Sequence, residues 1–323
     1  LRNVTRHRAE LVKSKTAISN RIHSLVDQLF PGFLDETLSG IPPFSETSLW
    51  LMEDRFSPKH IQARQTKHLF RQAQKRRLPK PEEAIATLKM YAGGVLLPVP
   101  EWVGTLQTAL YHEVQLYRSL LGCIHQADLQ SAQVLAKIPA AMMTTIKGTG
   151  ITLAAGVGSE IGDPDHQTSL RHLASYAGII PRVKQTGGPQ GEPRYGHVSR
   201  RCNHLLKNYI VQCGNHLGQH GPDELKQDHR RRGANGQHAD FGMARRYLRM
   251  AMRLMRDGQA YLPTPLRESA NKDELRAYYL KSWPRLRDIW KTAQALDVAF
   301  DPKNPLGQWR DCIQTIYEIE LPL

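Results

Sequence analysis

No apolar run in this 323-residue chain approaches the ~20 residues needed to cross a bilayer as a helix. The longest, Gly94 to Val99, is too short even for the apolar stretch of a signal peptide, so a helical membrane span is excluded. Cysteine is scarce: Cys123, Cys202, Cys213 and Cys312 stand far apart with no CxxC pair. That argues against a disulfide framework or a zinc ribbon and fits a reducing, cytoplasmic setting. Acids are short as well. The 30 Asp and Glu face 44 Lys and Arg, a formal net charge of +14 with the 14 His neutral. Such an excess calls for a polyanionic partner, nucleic acid first, and for association with the nucleoid. Strand-like alternation is nearly absent, so the chain reads as mainly α. Its length corresponds to about two globular units of roughly 150 residues, enough for a sizeable core.

Four segments follow from the patterning: a helix over 1–30, a helical linker over 31–137, a domain over 138–262 and a helical tail over 263–323. Val4, Leu11, Ile18, Ile22, Leu25 and Leu29 recur close to the steps of a helical stripe, and Pro31-Gly32 ends it. Residues 33–56 read as a connector with one short helix around Ser48 to Met52. From Lys59 to Lys80 come eight bases and no acid; without Glu partners at i,i+4 the stretch reads as phosphate contact rather than a merely solvated face. A helix is expected from Glu82 to Tyr91. After Pro100, a seam of Val103, Leu106, Leu110, Val114, Tyr117, Leu121 and Ile124 marks a long, coiled-coil-like helix. Three heptads are marginal for an independent coiled coil, which favours packing inside the chain over pairing with a second copy.

Chemistry concentrates after Ile138. The segment IPAAMMTTIKGTGITLAAGVGSEIGD places Gly148-Thr149-Gly150 ahead of a small-residue helix, the pattern of a helix-hairpin-helix. In such an element the glycines, here with Lys147 and Thr149, bring backbone N–H groups against a DNA phosphate. A GxG alone matches many ordinary turns. The continuation strengthens it: Ile146 to Asp163, Leu173 to Gly187, Gly196 to Leu206 and Leu254 to Tyr261 are four blocks in order that resemble the C-terminal transposase domain of the insertion-sequence-110 (116/110/902) family. Arg8, Leu11, Val12 and Asn20 resemble the helix that follows that family's RuvC-like nuclease domain. The resemblance covers most of residues 1–262.

The resemblance implies a DNA recombinase of two parts. A RuvC-like domain binds Mg²⁺ through an Asp, Glu, Asp, Asp set, and the C-terminal domain supplies a serine that joins covalently to DNA. It further implies a structured guide RNA bridging donor and target DNA, and a homo-oligomer with active sites formed across protomers. Two departures stand out. The acidic set aligns upstream of Leu1, so no Mg²⁺ ligands are expected in this chain. The serine position is taken by Thr186 in Gln185-Thr186-Gly187-Gly188. Threonine keeps the hydroxyl but adds a methyl that crowds an in-line attack. Around the candidate nucleophile Thr186, Arg182, Lys184, Gly187, Arg194, Arg200 and Arg201 are expected to hold the DNA phosphate. The competing expectation is a non-catalytic nucleic-acid-binding remnant of a decayed mobile element.

Other constellations read as structural. Cys202, His204, Cys213, His216 and His220 lack a complete zinc-ligand spacing and read as ordinary helix residues. Glu160, Asp163 and Asp165 read as helix-end caps. Tyr247, Leu248, Met250, Met252, Leu254 and Met255 read as core, with Arg245, Arg246, Arg249, Arg253 and Arg256 of the same helix towards nucleic acid or solvent. Trp283, Trp290, Trp309 and Tyr317 suggest tail helices docked on the body.

Overall fold

A computed structural model describes residues 1–166, 169–184, 194–198, 201–221, 223–231, 237–268 and 271–323. The helices run α1 (Arg2–Leu29), α2 (Glu36–Ser39), α3 (Glu46–Met52), α4 (Pro58–Ala63), α5 (Thr66–Lys75), α6 (Pro81–Gly94) and α7 (Pro100–Leu135). After a 3-10 helix at Pro139–Thr145 come α8 (Ile151–Ile161) and α9 (Leu170–Tyr176), then β1 (Pro181–Lys184) and β2 (Arg194–Val198). The chain continues through α10 (His204–His220), α11 (Asp223–Arg231), α12 (Gln237–Asp257), α13 (Thr264–Glu268), α14 (Lys272–Thr292), α15 (Leu296–Ala299) and α16 (Pro305–Tyr317). The fold is mainly α. Among the described residues the single exception is one antiparallel strand pair, with Pro181 opposite Val198 and Lys184 opposite Arg194.

Two compact units divide the chain, one of residues 9–125 and one of residues 1–8 with 126–323. In the first, Ile18, Ile22 and Val26 of α1 share a core with Leu110, Val114 and Tyr117 of α7. The long-helix seam is thus buried within the chain, and Arg21 of α1 binds Glu113 of α7 at 2.9 Å. Phe30, Phe33, Phe56 and Tyr91 form a ring cluster, with Phe33 edge-on to Phe56 at 4.7 Å. The basic stretch is less free than its sequence suggests. Arg64 pairs with Asp54, Lys80 with Glu83 at 3.1 Å, and Arg64 and Arg76 both lie over the Trp50 ring, at 5.2 and 4.5 Å. Lys59, Lys67, Arg71, Lys75 and Arg77 are exposed.

The second unit is built on α8, α10 and α12. Gly214 lets α10 approach α12 closely, since a Cβ there would lie 2.7 Å from the Ala244 amide nitrogen. Tyr247, Leu248, Met252, Leu254 and Met255 of α12 are core. The tail belongs to this same core through Trp283 and Trp290, and truncating a buried Trp of this kind costs about 3–5 kcal/mol. Trp290 donates its indole N–H to the buried Thr144 hydroxyl at 3.2 Å. No helix among the described residues is long and apolar enough to cross a membrane.

Candidate functional site

The GTG turn is a tight hairpin with a 3-10 helix, not an α-helix, on its leading side. Gly148 sits at φ +94°, a conformation that side chains disfavour, and a Cβ there would meet the His216 carbonyl oxygen at 3.2 Å. His216 Nδ1 hydrogen-bonds the Gly148 carbonyl at 3.0 Å, which fixes the turn against α10. Lys147 is exposed. Thr149 is turned inward: it is 2% exposed, and its hydroxyl donates to Tyr247 Oη at 3.4 Å. Gly150 caps α8 in an extended conformation and no side chain caps that helix.

The trailing end of the 3-10 helix is held from the tail. Arg285 of α14 donates to the carbonyls of Thr144 at 3.0 Å, Thr145 at 2.8 Å and Ile146 at 3.3 Å. These are carbonyls that a helix end leaves without intrahelical partners. Burial lowers the Arg285 guanidinium's pKa from its ordinary value, yet an arginine stays charged.

A second constellation anchors the strand pair. Glu160, at the end of α8, is 2% exposed and receives Arg6 Nε on Oε1 at 2.8 Å and Arg6 Nη2 on Oε2 at 2.9 Å. Asn203 Nδ2 donates to the same Oε2 at 2.7 Å and to Tyr176 Oη at 2.8 Å. The backbone N–H of Asn203 donates to the Tyr176 carbonyl at 2.8 Å, and its Oδ1 caps α10 by accepting from the Leu206 amide at 3.0 Å. Arg2 adds bonds to the Ser159 and Glu160 carbonyls at 2.9 and 3.1 Å. Burial pushes the Glu160 carboxyl up, but hydrogen bonds from Arg6 and Asn203 and the charges of Arg6 and Arg2 outweigh it, so the group lies below the ordinary carboxylate value. The helix-end reading of Glu160 is therefore corrected: it is the buried acceptor of a network built across the unit. Asp163 does act locally, accepting from the Asp165 amide at 3.0 Å.

This network ties residue 176, ahead of β1, to residue 203, beyond β2. Arg182 and Lys184 lie on β1 and Arg194 on β2, with Lys184 and Arg194 directly opposite. Arg201 is exposed beyond β2. Thr186, Gly187 and Arg200 lie outside the described residues. Sequence reasoning missed Arg6, Arg285 and the coupling of Asn203 to Glu160; the one local signal was Asn203 directly before an apolar helical run, the position of an N-cap.

No three His, Cys, Asp or Glu side chains converge as a metal site among the described residues. Cys213 is buried and its thiol is pushed up to about 12 by that burial, the opposite of a ligating thiolate. Cys202 Sγ contacts His204 Nδ1 at 3.9 Å, and His216 is taken by the hairpin. Among the described residues Glu160 is no free ligand, since Arg6 and Asn203 occupy both its oxygens.

Over 259 residues the chain is 25% identical to a protein of Streptomyces coelicolor described as "Insertion element IS110 uncharacterized 43.6 kDa protein", covering 78% of this chain and 62% of that one. Over 114 residues it is 25% identical to a "Probable family 20 transposase" of Pseudomonas aeruginosa, covering 35% of this chain and 32% of that one. The chain thus spans less than two thirds of either relative. Residues 140–230, from the 3-10 helix through the Gly148 turn, the strand pair and α10 to α11, match the model of the transposase IS116/IS110/IS902 family.

Proposed function

We propose that the chain works in DNA transposition, cleaving and rejoining strands with the Thr186 hydroxyl as nucleophile. The supporting observation is the transposase-family match over residues 140–230, which spans the hairpin, both strands and Thr186. The chemistry is transesterification. The Thr186 proton passes to a base, its oxygen bonds to phosphorus, and the P–O bond to one deoxyribose breaks, the departing oxygen taking a proton. A hydroxyl of a second strand then reverses the step and releases Thr186. One phosphodiester is exchanged for another, so no outside energy source is required.

The basic side chains Arg182, Lys184, Arg194, Arg200 and Arg201 neutralise the phosphate under attack, where charge accumulates on its non-bridging oxygens. Lys147 and the Gly148-Thr149-Gly150 turn grip the backbone of the duplex without reading sequence, as a helix-hairpin-helix-like element. DNA and a structured guide RNA are the partners, in a homo-oligomer, in the cytoplasm at the nucleoid. The resemblance implies a Mg²⁺ held by the acidic set of a RuvC-like domain; no step here is routed through the ion.

The test is a denaturing-gel assay for a covalent protein–DNA adduct, with Mg²⁺ and a RuvC-like domain supplied. An adduct is expected with Thr186 and is lost in Thr186→Ala while DNA binding stays. An adduct that survives Thr186→Ala removes the nucleophile assignment. Binding itself is expected to fall by orders of magnitude between about 50 and 200 mM salt, and a flat response would sink the nucleic-acid reading.

A further inference from the structure

Beyond the family match, α12 borders a cavity of about 440 Å³ that the hairpin and the strand pair do not use. Arg246, Arg249, Arg253, Arg256 and Arg267 line it. The first four follow one another at steps of three, four and three residues, which puts them on one face of α12 over about 15 Å. Arg246 is held by Asp228 at 2.9 Å, and Arg256 donates to the Pro164 carbonyl at 2.9 Å. Arg249 and Arg253 have no hydrogen-bond or ion-pair partner among the described residues, and Asp257 is the one acid in the lining. The rest of the wall is mostly apolar, from Leu170, Leu225, Met250 and Met252, with Tyr261 and Thr264 beside them.

Two uncommitted guanidiniums above an apolar floor ask for a ligand with an anionic end and a flat, weakly polar body. Guanidinium forks match phosphate oxygens, and thioether and aliphatic side chains pack against aromatic faces. The cavity falls in the roughly 300–1,000 Å³ range of small-molecule sites, too roomy for a bare phosphate. The arginine row outruns any single anion, which suits a strand of successive phosphates better than a free metabolite.

We propose that this cavity receives one unpaired nucleotide of a nucleic-acid strand, its phosphate on Arg249 and Arg253 and its base against Met250, Met252 and Leu225. The proposal rests on the transposition reading for its strand, and adds to it a site that strips a base from pairing, away from Thr186 in sequence.

The experiment uses the whole chain and a short single-stranded DNA carrying one 2-aminopurine, with the matching RNA as a second probe. Seating the base among aliphatic walls frees it from its stacked neighbours, so its fluorescence rises on binding. Arg249→Ala with Arg253→Ala is expected to weaken binding about tenfold or more, to lower the salt slope by about two and to abolish the rise. Lys272→Ala with Arg276→Ala removes the same two charges from exposed positions on α14 outside the cavity, and is expected to change affinity less than about threefold and to keep the rise. Met250→Trp, which fills the floor, is expected to remove the rise and leave the salt slope. A rise with the DNA alone or the RNA alone names the strand. Strand binding without any rise, or a cavity double variant indistinguishable from the α14 double variant, overturns the cavity while leaving duplex binding and the transposition reading intact. A chain that binds neither strand nor duplex overturns both.

Discussion

Arg6 grips the buried Glu160 carboxylate with two parallel bonds of 2.8 and 2.9 Å across 154 residues of sequence. Glu160 in turn holds Asn203, which closes the excursion that carries β1 and β2. Glu160→Gln keeps the shape but removes the charge that Arg6 answers. A loss of about 2 kcal/mol is expected, read as a lower midpoint in urea.

The same pair sets a pH dependence. The folded carboxyl lies below its ordinary value of 4.5, so folding binds it in the charged form. Its stabilisation is complete above about pH 4.5 and is lost as pH falls through the lower folded value. Thermal melts of the wild type and Glu160→Gln are expected to differ near neutrality and to converge in acid. A constant difference down to about pH 3 would contradict the assignment.

The two hairpin glycines separate fold from binding. Gly148→Ala places a Cβ at φ +94° against the His216 carbonyl, and a loss of about 1–3 kcal/mol is expected. Gly150 has φ −92° and open space where a Cβ would go. Gly150→Ala is therefore expected to cost less than about 1 kcal/mol and yet to weaken duplex binding, if the turn meets a phosphate backbone. Urea melts and a duplex titration on the same two variants check both halves.

Arg285 gives a prediction about the tail. Arg285→Ala takes the side-chain donor from the carbonyls of Thr144 and Thr145, while Ile146 keeps the Thr149 amide at 3.1 Å, and a loss of about 2 kcal/mol is expected from the acceptors that lose it. Hydrogen exchange would show faster amides at the end of the 3-10 helix, whereas a tail that merely covers the surface would leave them protected.

What the sequence made legible was local. The stripe ending at Leu29 before Pro31-Gly32 marks α1, the run after Pro100 marks α7, and the Gly148 turn lies where the glycine pattern puts it. Glu160 and Arg285 were opaque for a common reason. Arg6 stands 154 residues from Glu160 and the Thr144 carbonyl 141 from Arg285, and periodicity carries no information about which distant group answers a buried charge. Glu160 beside Asp163 looks like one of two helix-end acids; only the approach of α1 and the start of α10 separates them. The strands escaped because four and five residues flanked by glycines and bases leave no alternation to count. The candidate nucleophile rests on sequence alone, since Thr186 lies outside the described residues.

That position yields the sharpest chemical prediction. If the Thr186 hydroxyl attacks phosphorus, its methyl stands beside the forming bond and crowds the five-coordinate geometry. Thr186→Ser keeps the hydroxyl, removes the crowding and is expected to raise the rate of adduct formation about tenfold, the change that ~1.4 kcal/mol of barrier produces. DNA affinity is expected to stay, because the basic side chains on β1 and β2 are untouched. Single-turnover rates of the wild type, Thr186→Ser and Thr186→Ala decide the matter. A serine variant faster than threonine, with alanine inactive, belongs to a direct nucleophile. Equal rates in all three belong to a residue that only shapes the turn, and the hydroxyl that attacks DNA must then be sought elsewhere.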